Sequence, residues 1–171
     1  MEVTSAEADR KKVWDLIKNE RVAMLVTETD GRMKARPMGC LQDEFDGTLW
    51  FLTSRGSPKT DEIRAHSEVL LSYADPSKYG YVSISGRARM SDDRDRIKRL
   101  WRDDLRVWFP DGPDSASIGL VAVDVESATY WTNTASFATY AWIYVRTLAG
   151  GSPARQQEIG EEKRVEFDAK R

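Results

Sequence analysis

The chain has 171 residues, of which 40% are hydrophobic and 32% charged, and its 26 basic and 28 acidic side chains leave a formal net charge of −2. That length suits one domain, and so apolar-rich a composition excludes wholesale disorder. The balanced charge excludes the broad positive field on which non-specific nucleic-acid binding depends.

Thr4 with Glu7 forms a capping box, and Val13, Trp14, Leu16 and Ile17 recur at helical spacing, predicting a first helix that ends near Asn19 and Glu20. From Arg21 the period drops to two. Residues 21–27 (RVAMLVT) are apolar on both sides, as in a strand buried on both faces. Asp30-Gly31 marks a hairpin into a second strand over 34–41, and Asp46-Gly47 a turn into a third over 48–54. Pro37 within the second strand removes a ladder donor and so belongs at a sheet edge or bulge. A capped helix follows, then strands over 69–74 and 81–90. In the latter Val82, Ile84, Ala88 and Met90 face one way, and Tyr81, Ser83, Ser85, Arg87 and Arg89 the other.

Ser91 is expected to open the next helix, with Asp92, Asp93 and Asp95 at its positive end and Ile97, Leu100 and Trp101 on its buried face. Proline and glycine make 108–113 (WFPDGP) a loop. Residues 119–132 read as a strand with a turn or bulge near Glu126-Ser127, and 136–148 as a last helix. Residues 1–150 are thus expected to form the folded domain and 151–171 a charged, mobile tail. Consecutive strands joined by tight turns argue for an antiparallel sheet, and six or seven of them for a small barrel.

No run reaches the roughly eighteen apolar residues that span a bilayer, and MEVTSAEADRKK lacks a signal-peptide core. Cys40 is the single cysteine, so no intrachain disulfide forms and a cytoplasmic location is expected. With His66 the single histidine, no His/Cys zinc cluster is available, and no G-x-S-x-G elbow supplies a nucleophile.

The informative stretch is 51–63 (FLTSRGSPKTDEI). Ser57 is suited to cap a helix and Pro58 to its first turn. Such a helix end attracts anions, Lys59 adds a full charge, and Thr53 and Ser54 add hydroxyls: together they suit a phosphate monoester. A helix starting with Ser-Pro and binding nothing is the plainer alternative. Arg36, beside the proline interruption, is placed either to reach a ligand or simply to be solvated.

Five segments in order, ARPMGC, WFLTSRGSPKTDEI, YGYVSISGRARM, RVWFPDGP and ATYWTN, resemble the pyridoxamine 5′-phosphate oxidase-like split barrels, in particular the FMN-binding general stress protein branch. The resemblance spans about residues 10–147. It implies a mainly β, six- to seven-stranded antiparallel split β-barrel with flanking helices, FMN as cofactor, and a homodimer with flavin sites at the subunit interface. In such proteins Arg36, Pro37 and Met38 match the segment lining the isoalloxazine and ribityl chain. Leu52, Thr53 and Ser54 match the strand facing the flavin, and Ser57 and Lys59 the phosphate ligands. Pro58 stands where the oxidases carry an arginine, leaving Arg36 or Arg55 to compensate. Tyr81 replaces a glutamine, while Trp108, Phe109 and Trp131 match groups that a second copy contributes.

No histidine follows Trp131, which argues against true pyridoxamine phosphate oxidation. A flavin-dependent oxidoreductase of unknown substrate with a stress-related role is the leading expectation, and no residue stands out as general acid or base. A non-catalytic flavin-binding sensor or buffer is the alternative. FAD remains open as a cofactor, as does deazaflavin, with Arg55 and Arg64 as extra cations. Haem would need His66. Neither nucleic acid nor membrane is an expected partner.

Overall fold

Alternating burial organises the chain. The computed structural model describes residues 5–133, 137–150, 152, 155 and 160–167. Helix α1 (Ser5–Ile17) leads into strands β1 (Val22–Thr29), β2 (Arg32–Gly39) and β3 (Thr48–Ser54). Helix α2 (Pro58–Ala65) precedes β4 (Glu68–Asp75) and β5 (Gly80–Ser91). Helix α3 (Arg94–Leu100) and a short 3-10 helix, Asp103–Val107, precede β6 (Ile118–Asn133), followed by α4 (Phe137–Leu148) and β7 (Gly160–Glu166).

The strands pair antiparallel in the order β2-β1-β4-β5-β6-β3, with β7 also against β6. A bridge from Cys40 to Phe51 joins the two ends and closes the barrel. Strand β6 explains the split. One of its edges pairs with β5 along its length, while the other serves β3 over Ile118–Asp124 and β7 over Ser127–Asn133. Between those halves Glu126 is the extra residue of a bulge facing Ser85 and Gly86, where the sequence predicted one. Gly86 is needed there: a Cβ would lie 2.4 Å from the Asp124 carbonyl oxygen.

Inside the barrel Leu25, Leu49, Phe51, Leu71, Ile84 and Val123 are fully buried. A second cluster, Trp50, Ile97, Ile118, Leu120 and Ala122, lies where α3 covers the outer face of β3 and β6. These two strands are therefore buried on both faces, and their near-continuous apolar runs follow from that. Pro37 lies in β2, the first strand in the order, where a lost donor is tolerated.

Four expectations need correction or fall outside the description. Strand β1 is buried on one face only: Ala23, Leu25 and Thr27 point inward, whereas Val22 and Met24 are 57% and 40% exposed. Helix α3 begins at Arg94 rather than Ser91, because Ser91 stays in the β5 ladder opposite Leu120 and the Asp93 carboxylate caps by accepting from Arg96 N at 2.9 Å. Residues 160–166, expected within a mobile tail, form β7, with Val165 in the core and the Lys163 ammonium donating to Asp9 at 2.7 Å. The capping box falls partly on Thr4, outside the described residues. Among the described residues no helix is long and apolar enough to cross a membrane.

Candidate functional site

Strand β3 delivers Thr53 to the inner end of the barrel, and a tight turn, Ser57 N–H donating to the Ser54 carbonyl at 3.2 Å, carries the chain into α2. Pro58 takes the first helical position and Ser57, extended at φ −78° and ψ 145°, the position before it. The Ser57 hydroxyl makes no capping hydrogen bond. It faces its neighbours instead: Lys59 Nζ donates to Ser57 Oγ at 3.1 Å and to Thr53 Oγ1 at 3.0 Å. The Ser57 oxygen stands 3.4 Å from Thr53 Oγ1 and 3.3 Å from Thr60 Oγ1. One ammonium and three hydroxyls thus converge at a helix start, where backbone N–H groups lack intrahelical partners. No carboxylate of the described residues pairs with Lys59. Burial lowers its pKa, and the Arg36 charge pushes the same way.

Behind this cradle lies Glu62, which reading the sequence missed. It is buried in α2, with Oε2 accepting from Thr27 Oγ1 at 2.7 Å and lying 2.6 Å from Arg36 Nη1, while Lys34 Nζ donates to Oε1 at 3.1 Å. Burial acts to raise its pKa, but the hydrogen bonds from Thr27 and Lys34, with the Arg36 guanidinium paired beside it, prevail and hold it at about 2. Its partners come from β1 and β2, far away in the chain, so the sequence showed only an acidic residue one turn beyond Lys59 and nothing of its burial. Glu62 fixes Arg36 where its charge reaches Lys59. Arg55 is engaged elsewhere: it pairs with Asp92, and its stem lies 3.1 Å from where a Gly119 Cβ would sit. Of the two arginines left open by the sequence, Arg36 is the one beside the cradle.

The other expected site residues are dispersed. Met38 is buried in the barrel core, Pro37 is exposed on the outer face, and Leu52 packs on the outer cluster under α3. Ser54 joins Trp108, Phe109, Asp111 and Ser117 around a small cavity of about 70 Å³. Phe109 leans on the Trp50 cluster, whereas Trp108 is 76% exposed. Tyr81 and Trp131 face each other across β5 and β6. In one chain they are remote from the cradle: Thr53 pairs with Gly119 at the other end of β6, roughly 40 Å of extended strand away. His66 is exposed, its Nδ1 4.0 Å from a Glu28 carboxylate oxygen.

A family model described as "Pyridoxamine 5'-phosphate oxidase like" matches residues 8–154. The chain belongs to the pyridoxamine 5′-phosphate oxidase-like family. Within that family it is similar to General stress protein 26 of Bacillus subtilis, 28% identical over 121 residues that cover 68% of this chain and 84% of that protein. The oxidase-like fold recurs in the crystal structure of a Jannaschia sp. CCS1 protein assigned as a general stress protein 26. That structure has a TM-score of 0.71 at 22% identity, covering 94% of this chain and 99% of the other. It recurs too in a general stress FMN/FAD binding protein from Xanthomonas citri, with TM-score 0.65 and 27% identity, covering 74% of this chain and 90% of that one.

Proposed function

We propose that this chain binds FMN, with the phosphate held by Lys59, Ser57 and Thr53, and acts as a flavin-dependent oxidoreductase of unknown substrate in a stress-related role. The observation carrying this reading is Lys59: a partly buried ammonium, turned onto two hydroxyls, with no carboxylate of the described residues in contact with it. Burying a cation in that way is costly unless an anion completes the arrangement. A monoester dianion, with three acceptor oxygens, matches one ammonium, adjacent hydroxyls and a helix start. The longer acidic tails of FAD and deazaflavin ask for further cations, yet Arg36, Arg55 and Arg64 are paired with Glu62, Asp92 and Asp61. FMN is therefore favoured over both.

Bound flavin supplies hydride or single-electron transfer. The chain's own residues bind and orient: Lys59 and Ser57 anchor one end, and Arg36, fixed by Glu62, adds positive potential without leaving its partner. In the proposed assembly two copies form a homodimer with flavin sites at their interface, to which the second copy brings Tyr81, Trp131 and the exposed Trp108. A cytoplasmic setting agrees with the single cysteine, whose thiol burial pushes up in pKa and keeps protonated.

The absorption spectrum of purified protein tests the cofactor. Bands near 370 and 450 nm that return when stripped protein is incubated with FMN are expected; a preparation that binds no flavin refutes the proposal. A second reading, a flavin-binding module without turnover, draws on Glu62: this buried acid behind the cradle is held at about 2 and accepts from Thr27 and Lys34, unsuited to proton transfer near neutrality. Reduction by NADH or NADPH, followed with a panel of acceptors, separates the two readings.

A further inference from the structure

Helix α4 is built inside out. Thr139, Ile143 and Arg146, at helical spacing, are its half-buried stripe. The opposite arc is exposed and apolar: Tyr140 41%, Trp142 65%, Tyr144 67%, Val145 57% and Leu148 70%. A surface helix normally turns its apolar arc to the core and its charges to water, and a helix apolar over most of its circumference is one that is buried. Arg146 is its one charged residue. We propose that α4 docks on a second copy of this chain.

Area favours that occupant. An aromatic side chain buries about 150–250 Å², so these five residues leave on the order of 600 Å² uncovered per copy, as large as the biggest patch on a typical monomer. Two copies meeting through it bury roughly 1,200 Å², the lower bound for a specific interface. Further apolar surface lies at the same end of the barrel. The Asn133 side-chain amide donates to the Tyr140 hydroxyl at 2.8 Å, tying α4 to the end of β6. There Trp131 pairs with Tyr81, and Tyr81 with Ala74, in an outward-facing row that continues toward the exposed Val22 and Met24. A two-fold pair presenting the same surface twice covers both features and closes the assembly. A lipid surface is the poorer match, because membrane-lying helices carry a basic polar face and α4 has none.

The inference rests on the two-copy reading above for its partner, and the experiment separates the two. Light scattering after gel filtration of the whole chain is expected to give the mass of two chains for wild type. Trp142→Glu combined with Tyr144→Glu is expected to give the mass of one chain, with the far-UV spectrum retained. A variant that remains a dimer overturns the role of α4 and leaves the two-copy reading standing; a wild-type monomer, floating with phosphatidylcholine vesicles or not, overturns both. Should the variant fail to fold, hydrogen exchange on wild type decides. Amides of α4 protected in concentrated solution and released on dilution support the docking; exchange that is fast at every concentration overturns it.

Discussion

Burial lowers the pKa of Lys59 from the ordinary lysine value, Arg36 pushes the same way, and Glu62 opposes. The ammonium therefore loses its proton at a lower pH than a solvated lysine, and a phosphate that depends on it should be released earlier on the alkaline side. Flavin fluorescence titrations from neutral to alkaline pH are expected to show FMN affinity falling ahead of the normal lysine range, with riboflavin, which lacks the phosphate, unaffected. Lys59→Ala should weaken FMN by about 1.5–3 kcal/mol, the span of a charge-assisted hydrogen bond, and again leave riboflavin unchanged. Equal losses for both ligands would place the lysine outside a phosphate site. Glu62 concerns stability. Its folded pKa of about 2 lies below the ordinary glutamate value of 4.5, so its contribution is fully present above pH 4.5 and drains away as pH falls toward 2. Glu62→Ala strands Arg36 and Thr27 and should cost about 3 kcal/mol at neutral pH. It should also flatten the acid limb of the stability curve, as urea melts across that pH window would reveal.

Among the elements, the bulge that divides β6 is the most sensitive point. With only 2.4 Å between a new Cβ at Gly86 and the Asp124 carbonyl oxygen, Gly86→Ala must shift backbone where β3 and β7 part company. A loss of about 1–3 kcal/mol is expected, measured as a lowered denaturant midpoint with unchanged slope. A midpoint equal to wild type would mean that the bulge can relax. That bulge was legible in the sequence because Glu126-Ser127 sets two polar residues side by side within a strand-like stretch, and β5 was legible because its inner and outer residues alternate. Strand β7 was not: in GEEKRVE only Val165 is buried, and four consecutive charged residues hide the period. Strand β1 was misread for the opposite reason. Its sequence is apolar on both faces, but composition reports what a face is made of and not what covers it, and no described element covers Val22 and Met24. The same distinction separates the site residues. Ser57, Pro58 and Lys59 meet at one helix start and their placement can be read locally, while Glu62 acquires its surroundings from Thr27, Lys34 and Arg36, which only the closed barrel brings near.

At the scale of the whole molecule, the residues expected around one flavin lie at opposite ends of β6. Thr53 pairs with Gly119 at the strand's beginning and Tyr81 with Trp131 near its finish. A barrel of this size does not fold one end of its longest strand onto the other, so in a single chain these groups cannot share a ligand. Either Tyr81 and Trp131 do not touch the flavin, or they touch the one anchored by another copy's Lys59. The second arrangement couples ligand affinity to assembly: a site drawing on two chains is complete only in the dimer, and binding then stabilises the dimer by mass action. The apparent affinity for FMN should accordingly weaken as protein is diluted through the dimer dissociation range, and added FMN should hold the dimer together at concentrations where the apoprotein separates. Fluorescence titrations at a series of protein concentrations, paired with analytical ultracentrifugation, measure both sides of this linkage. Affinity that is constant while the oligomer dissociates would confine the flavin to one chain and remove Tyr81 and Trp131 from its site.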